Sequence, residues 1–274
     1  LRGQGIDKDP TTAVAWFEKA AANGSGQACL LLGNCHRDGV GVPQDAAKAA
    51  HCYESGCATA NAACMRELGK CLLSGSGVER DPSKAMSWLT QAVALNDVKA
   101  TRQLGLCYEY GDGVQQNLAE AATFFRKAAQ QGDAFSQCKL GRLYRGGRGL
   151  PKDPEEAFGC FKQAALSGYA EGQAELARCY YTGYGVTRNP EGAAEWSRKA
   201  ATQDDSDGQF IYSFCLSQGD GVEKNDTEAV RFLRLAADQD HAGAQALLAL
   251  RHEFGEGVAK NYQEAFRLYE LAAK

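Results

Sequence analysis

No stretch of this sequence approaches the run of about 18 or more apolar residues that a membrane-crossing helix needs; the longest, around Ala28–Leu32, is far too short. Basic residues are not in excess. The 30 Lys and Arg against 34 Asp and Glu leave a formal charge of −4, so the electrostatic footprint that nucleic acid selects is missing. No Gly-Lys-Ser or Gly-Lys-Thr occurs, which removes the phosphate-cradling loop of nucleotide hydrolases. Histidine is scarce, with four residues, and no serine or cysteine nucleophile is recognisable beside a base. We therefore expect no catalytic, cofactor or metal site. No secretory signal is visible. Leu1 falls in mid-unit and Lys274 just short of a unit's end, so native termini are expected beyond both.

What is abundant is repetition. Leu32-Gly33 recurs as Leu68-Gly69, Leu104-Gly105 and Leu140-Gly141, then as Leu176-Ala177, Tyr212-Ser213 and Leu248-Ala249, always 36 residues on. A fixed period of this size marks a solenoid, in which each unit buries its apolar face only against its neighbours. The frame gives one array over residues 1–274: a partial unit 1–25, full units 26–61, 62–97, 98–133, 134–169, 170–205 and 206–241, and a nearly complete unit 242–274. A hydrophobic content of 44% supports a core, and 23% charged residues support a water-facing surface.

Within a unit, apolar and small residues fall three and four apart, as in Cys64, Leu68, Cys71 and Leu72, which predicts an amphipathic first helix. The small residue after the leucine admits a second helix at close range. A Gly-x-Gly pair then stops the helix, from Gly3/Gly5 and Gly39/Gly41 to Gly255/Gly257. An aliphatic plug follows each pair: Ile6, Val42, Val78, Val114, Leu150, Val186, Val222 and Val258. Next come N-cap residues Asp9, Asp45, Asp81, Asn117, Asp153, Asn189, Asn225 and Asn261, whose side chains satisfy free N–H groups of a second helix. Glu120, Glu156, Glu228 and Glu264 complete the capping-box pattern. The second helix carries alanine at one position throughout, Ala13 to Ala265, with bulky residues three and four later. The fold expected is all-α, built of 36-residue helix-turn-helix repeats.

Cys35, Cys71, Cys107, Cys179 and Cys215 share one slot, which Leu143 fills elsewhere. A slot that accepts Cys or Leu reads as small, apolar and buried. That favours packing thiols and an intracellular reducing compartment over disulfides, Cys57 and Cys64 being the pair close enough in sequence to bridge. His51, Cys52 and Cys57 share a helix, but no second set with zinc-site spacing accompanies them. His36 and His252 occupy the slot of Tyr108, Tyr144 and Tyr180 and read as core or boundary substitutes. The Gly-x-Gly pairs lack a preceding strand, which leaves them as turns. Asn23-Gly24-Ser25 and Asn225-Asp226-Thr227 match the glycosylation sequon but sit in turns where asparagine already has a structural task.

Leu104 to Ala129, with Tyr108, Gly111, Gly113, Val114, Ala121, Phe124, Phe125 and Lys127-Ala128-Ala129, closely resembles the Sel-one-like repeat, a relative of the tetratricopeptide repeat. The resemblance covers the whole chain. It implies a right-handed α/α superhelical solenoid with a concave inner surface, and an adaptor role in assembling protein complexes. One branch of that family staples neighbouring units with disulfides; here Cys57 fits the first place of that pairing and Met65 stands in the second, while Cys29 fits the second and Ala21 stands in the first.

If that geometry holds, the second, fifth, ninth and twelfth positions of each first helix line the groove. They include Arg66, Lys70, Lys99, Arg102, Arg142, Arg145 and Arg178, then Phe210 and Phe214. A basic stripe beside exposed aromatics suits an acidic, partly apolar protein or peptide partner, and charge reversal at Arg102, Arg142 and Arg178 is expected to abolish its capture. The alternatives are a solvated face with scattered charge, a structural subunit of a larger, even organellar, assembly that covers Phe266, Leu268, Tyr269 and Leu271, or a cysteine-rich secreted or hydrolase-like protein. Thiol titration of the denatured chain, with and without reductant, is expected to count all eleven cysteines as free both times; one bridged pair overturns the reduced-compartment expectation.

Overall fold

The computed structural model describes residues 9–273; Gly3, Gly5 and Ile6 lie outside the described residues. The chain divides into two compact units, residues 1–131 and 132–274. Unit one contains α1 (Pro10–Ala22), α2 (Gly26–Asp38), α3 (Ala46–Cys57), α4 (Ala62–Ser74), α5 (Pro82–Ala94), α6 (Val98–Tyr110) and α7 (Leu118–Gln130). Unit two contains α8 (Ala134–Gly146), α9 (Pro154–Leu166), α10 (Ala170–Thr182), α11 (Pro190–Ala201), α12 (Ser206–Gln218), α13 (Asp226–Ala237), α14 (Ala242–Phe254) and α15 (Tyr262–Ala272). Within each unit the helices stack as hairpins, with no strand among the described residues. None of these helices is long and apolar enough to cross a membrane.

The second helices begin where their caps predict. All eight expected Asp and Asn residues accept a bond from the backbone N–H of the first helical turn, as Asp45 does from Lys48 at 3.0 Å. The capping-box glutamates are a correction: the cap N–H groups of Asn117, Asp153, Asn225 and Asn261 donate to the carbonyls of Tyr108, Tyr144, Leu216 and His252 instead. With that donor taken, Glu228 and Glu264 bind Arg231 and Arg267, three residues on. The first helices carry a second cap series that the 36-residue pattern conceals, because its chemistry varies. Ser25, Asn61, Asp97, Asp133, Asp205 and even the ring of His241 serve, whereas Tyr169 makes no such bond.

Two close approaches hold the hairpins. The small residue after the leucine faces the side chain twenty positions on, where a helix crossing needs bare backbone. A Cβ at Gly141 would lie 2.7 Å from the Phe161 ring, and one at Gly105 2.7 Å from Phe125. The second glycine of several turns seats on the helix before it. Gly77, at φ 73°, lies so near the Ala46 carbonyl that a methyl group would overlap it, and Gly41, Gly185 and Gly221 lie likewise on Pro10, Pro154 and Pro190. The plugs Val42, Val78, Val114, Val186, Val222 and Val258 pack half-buried on the core clusters beside these turns.

The alanine column is buried from Ala49 to Ala265. The shared cysteine slot is apolar as expected, with Cys35, Cys107, Leu143, Cys179 and Cys215 buried and Cys71 half-buried. At the last hairpin Phe266 and Tyr269 are exposed, but Leu268 is buried against the core, because its position on α15 turns toward α14 rather than outward.

Gly141→Ala is expected to destabilise the protein by roughly 1–3 kcal/mol through overpacking. Gly141→Ala with Phe161→Leu should recover part of that loss, since leucine fills less of the crossing than the ring it replaces. A double-mutant cycle on melting midpoints checks it; no coupling between the two sites refutes the placement.

Candidate protein-docking faces

The first helices of the hairpins present the second, fifth, ninth and twelfth positions that the sequence singles out. In unit one, the Arg66 guanidinium is held by Asp97 at 2.5 Å and by Glu67 at 3.0 Å. Glu67 also takes Lys70 at 2.9 Å and Arg37 at 3.4 Å. Burial alone would raise the Glu67 carboxyl, but the bonds and charges of Lys70 and Arg66 outweigh it and hold the pKa below the ordinary range. Lys99 is exposed and Arg102 half-buried.

Unit two repeats the device on the same helix position. Glu175, only 3% exposed, receives Arg142 at 2.9 Å, Arg145 at 2.5 Å and Arg178 at 3.4 Å. Arg142 also reaches Glu171 at 2.6 Å, and Arg178 reaches Asp207 at 2.6 Å. A charge buried this deeply persists only when paired, and three guanidinium groups supply the pairing. The stripe is therefore not an array of open cations at Arg66, Arg142, Arg145 and Arg178. The partners stand roughly one unit further along the chain or one to three residues from the arginine itself, so a list of basic positions alone does not show them. Charge reversal at Arg142 and Arg178 would set acids against Glu175 and damage the fold as well as any contact.

His241 extends this ladder. Its Nδ1 accepts the Ala244 N–H at 3.0 Å, which places the ring proton on Nε2, facing Asp207 at 3.3 Å. That bond first, and then Arg178, hold the Asp207 carboxyl far below its usual range against the opposing effect of burial.

Next to the ladder lies an aromatic strip. Phe210 stands edge-on to Phe214 at 5.0 Å between ring centres and lies over the His241 ring at 4.5 Å. Tyr181 approaches Phe214 at 6.5 Å. Phe210, Phe214 and Tyr181 are half-buried, and Leu250, which takes the position of Phe214 one unit on, is exposed. Buried glutamines are the feature that the sequence reading missed: Gln203 and Gln239 donate to Gln173 and Gln209, both at 2.8 Å. Their 36-residue recurrence in unit two was the available signal.

No group of three His, Cys, Asp or Glu suited to a metal occurs among the described residues. All eleven thiols are unbonded to one another. Burial pushes Cys57 and Cys64 up to about 12, so these thiols stay protonated and unreactive at neutral pH. His36 is buried and His252 half-buried, its Nδ1 3.2 Å from the Ala259 carbonyl oxygen.

Helical hairpins stacked at a constant period within each unit define an α/α repeat solenoid protein. The chain belongs to the Sel1 repeat family: eight Sel1 repeats match, at residues 1–25, 26–58, 62–97, 98–133, 134–169, 170–205, 206–241 and 242–274. Among solved structures, a Sel1 repeat protein from Oxalobacter formigenes is similar at TM-score 0.77 and 24% identity, covering 98% of each chain. A protective antigen of uropathogenic Escherichia coli with an SLR fold is 26% identical at TM-score 0.56, covering 99% of this chain and 73% of that one. No curated protein matches.

The Asp207 pKa is lower in the fold than in the unfolded chain. Its bonds thus favour the fold fully above the ordinary aspartate range, and that contribution is lost as pH falls from there through the depressed value. Thermal melts followed by circular dichroism should show the midpoint falling on acidification. Asp207→Asn should melt lower at neutral pH and fall less steeply in acid; parallel curves for the two proteins would refute the ladder's contribution.

Proposed function

We propose that this chain is a non-enzymatic adaptor that holds a protein or peptide partner on the first-helix faces of its hairpins. Family membership supports the general role, since Sel1 repeats commonly serve protein interaction. The observation that carries the proposal here is the half-buried strip of Tyr181, Phe214 and Phe210 beside Arg178. Aromatic side chains of this kind supply most of the binding energy at protein interfaces when a partner completes their burial. The arginines enter as the rigid frame of the strip. Their carboxylates leave these arginines close to neutral, so an acidic partner gains chiefly from exposed Lys99, whose pair with it at the surface is worth about 0.2–1 kcal/mol.

Affinity purification of the tagged protein from its own cells, followed by mass spectrometry, tests this against Phe210→Ala/Phe214→Ala and Lys99→Glu. The aromatic variant is expected to lose the captured partner with its helical circular dichroism retained, and the lysine variant to weaken capture only at low salt. Undiminished capture by the aromatic variant defeats the assignment.

A further inference from the structure

We propose that Arg251 anchors a carboxylate-binding cleft at the turn of the last hairpin, taking an acidic side chain or the chain end of a docked peptide. The proposal deepens the adaptor reading above by naming a polar anchor for the same kind of partner.

The cleft arises where the repeat departs from itself. The slot held by Cys35, Cys71, Cys107, Leu143, Cys179 and Cys215 is taken at the next interval by Arg251 on α14. A guanidinium cannot lie in a pocket made for a thiol. The turn beside it is also unlike its counterparts. Gly41, Gly77, Gly185 and Gly221 press on the backbone of the preceding second helix, whereas around Gly257 the nearest atoms are Val230 Cγ2 at 3.3 Å, Arg251 Nη1 at 3.5 Å and Asp226 Cβ at 3.9 Å. The turn stands away from α13, the guanidinium occupies the gap, and a cleft of ≈ 340 Å³ opens between Lys224, Asp226, Arg251 and Glu256.

Arg251 is also unlike the other half-buried arginines of unit two. Arg142, Arg145 and Arg178 each hold a carboxylate. The Nε of Arg251 is buried and meets no acceptor among the described residues; the Nε of Arg178 also lacks a hydrogen bond, but Asp207 holds that guanidinium, whereas Arg251 has no ion pair among the described residues. A buried donor without a partner is costly to the fold, and a planar carboxylate meets a guanidinium through two parallel bonds. The rim selects between anions. Lys224 is occupied by Asp226 at 3.5 Å, and Asp226 and Glu256 repel a dianionic phosphate more strongly than a single carboxylate.

The test follows the Arg251 Nε–H resonance by nuclear magnetic resonance on the whole chain. Acetyl-aspartyl amide carries a side-chain carboxylate, acetyl-alanine a chain-end carboxylate, and inorganic phosphate serves as the third probe. A saturable shift in the millimolar range with one of the two carboxylates, and a weaker one with phosphate, supports the cleft, and the better carboxylate identifies the source. Arg251→Leu, which places the Leu143 solution in the slot, should abolish the accompanying shift of the Gly257 amide while melting at or above the wild-type midpoint. Should that variant unfold, Arg251→Lys keeps the charge without the fork, and its Gly257 response should weaken at least several-fold. No saturable response to either carboxylate, tighter binding of phosphate, or an unchanged Gly257 response in the Leu or Lys variant overturns the proposal. Phe210→Ala/Phe214→Ala should retain the Arg251 response whether or not it still captures a partner, which separates failure of the cleft from failure of the strip.

Discussion

At Gly33, Gly69, Gly105 and Gly141 the two helices of a hairpin come so near that a methyl group would overlap the facing Tyr53, Leu89, Phe125 or Phe161. This contact sets the distance between helices, and with it the direction in which every other side chain points. Where alanine replaces the glycine at Ala177, the position twenty residues on holds the small Ser197 rather than a ring. The volume at the crossing is shared between two residues, and neither can be altered alone without cost. The turns, caps and valine plugs then bring one hairpin against the next.

Much of this was legible before any coordinates. Features that depend on a fixed residue type at a fixed interval, namely the leucine, the Gly-x-Gly turn, the second-helix cap and the alanine column, recur visibly and fold as their chemistry directs. The first-helix caps were hidden because Ser25, Asn61, Asp97 and His241 perform one task with four different side chains. Backbone demand was concealed in the same way. The link between hairpins needs a left-handed residue, supplied by Gly24, Gly132 and Gly168 but also by Ala60, Asn96, Asp204 and Asp240, where only the glycines announce it.

The candidate face was legible in position but not in charge. The nine residues lie on the first helices as the period requires. The periodic reading assigned each arginine a sign without its environment, and the environment comes from a neighbouring hairpin. Glu67 and Glu175 occupy equivalent places and each gathers three cations, so two units of the molecule reach the same solution. A carboxylate buried among guanidinium groups is a positional lock, since the geometry must be maintained to keep the charge tolerable. The face it stiffens offers its rings in a fixed arrangement, and a partner meeting them loses little freedom on their account.

Within each unit, the seating of a turn upon the helix before it, as at Gly41, Gly77, Gly185 and Gly221, has a mechanical consequence. In such a stack no hairpin can be removed from the middle without unseating the one that follows, while an end hairpin can detach and leave its neighbour's contacts intact. Tension along the backbone would then be resisted in steps, one hairpin at a time from the ends inward. Extension under load would look like a staircase rather than a single rupture.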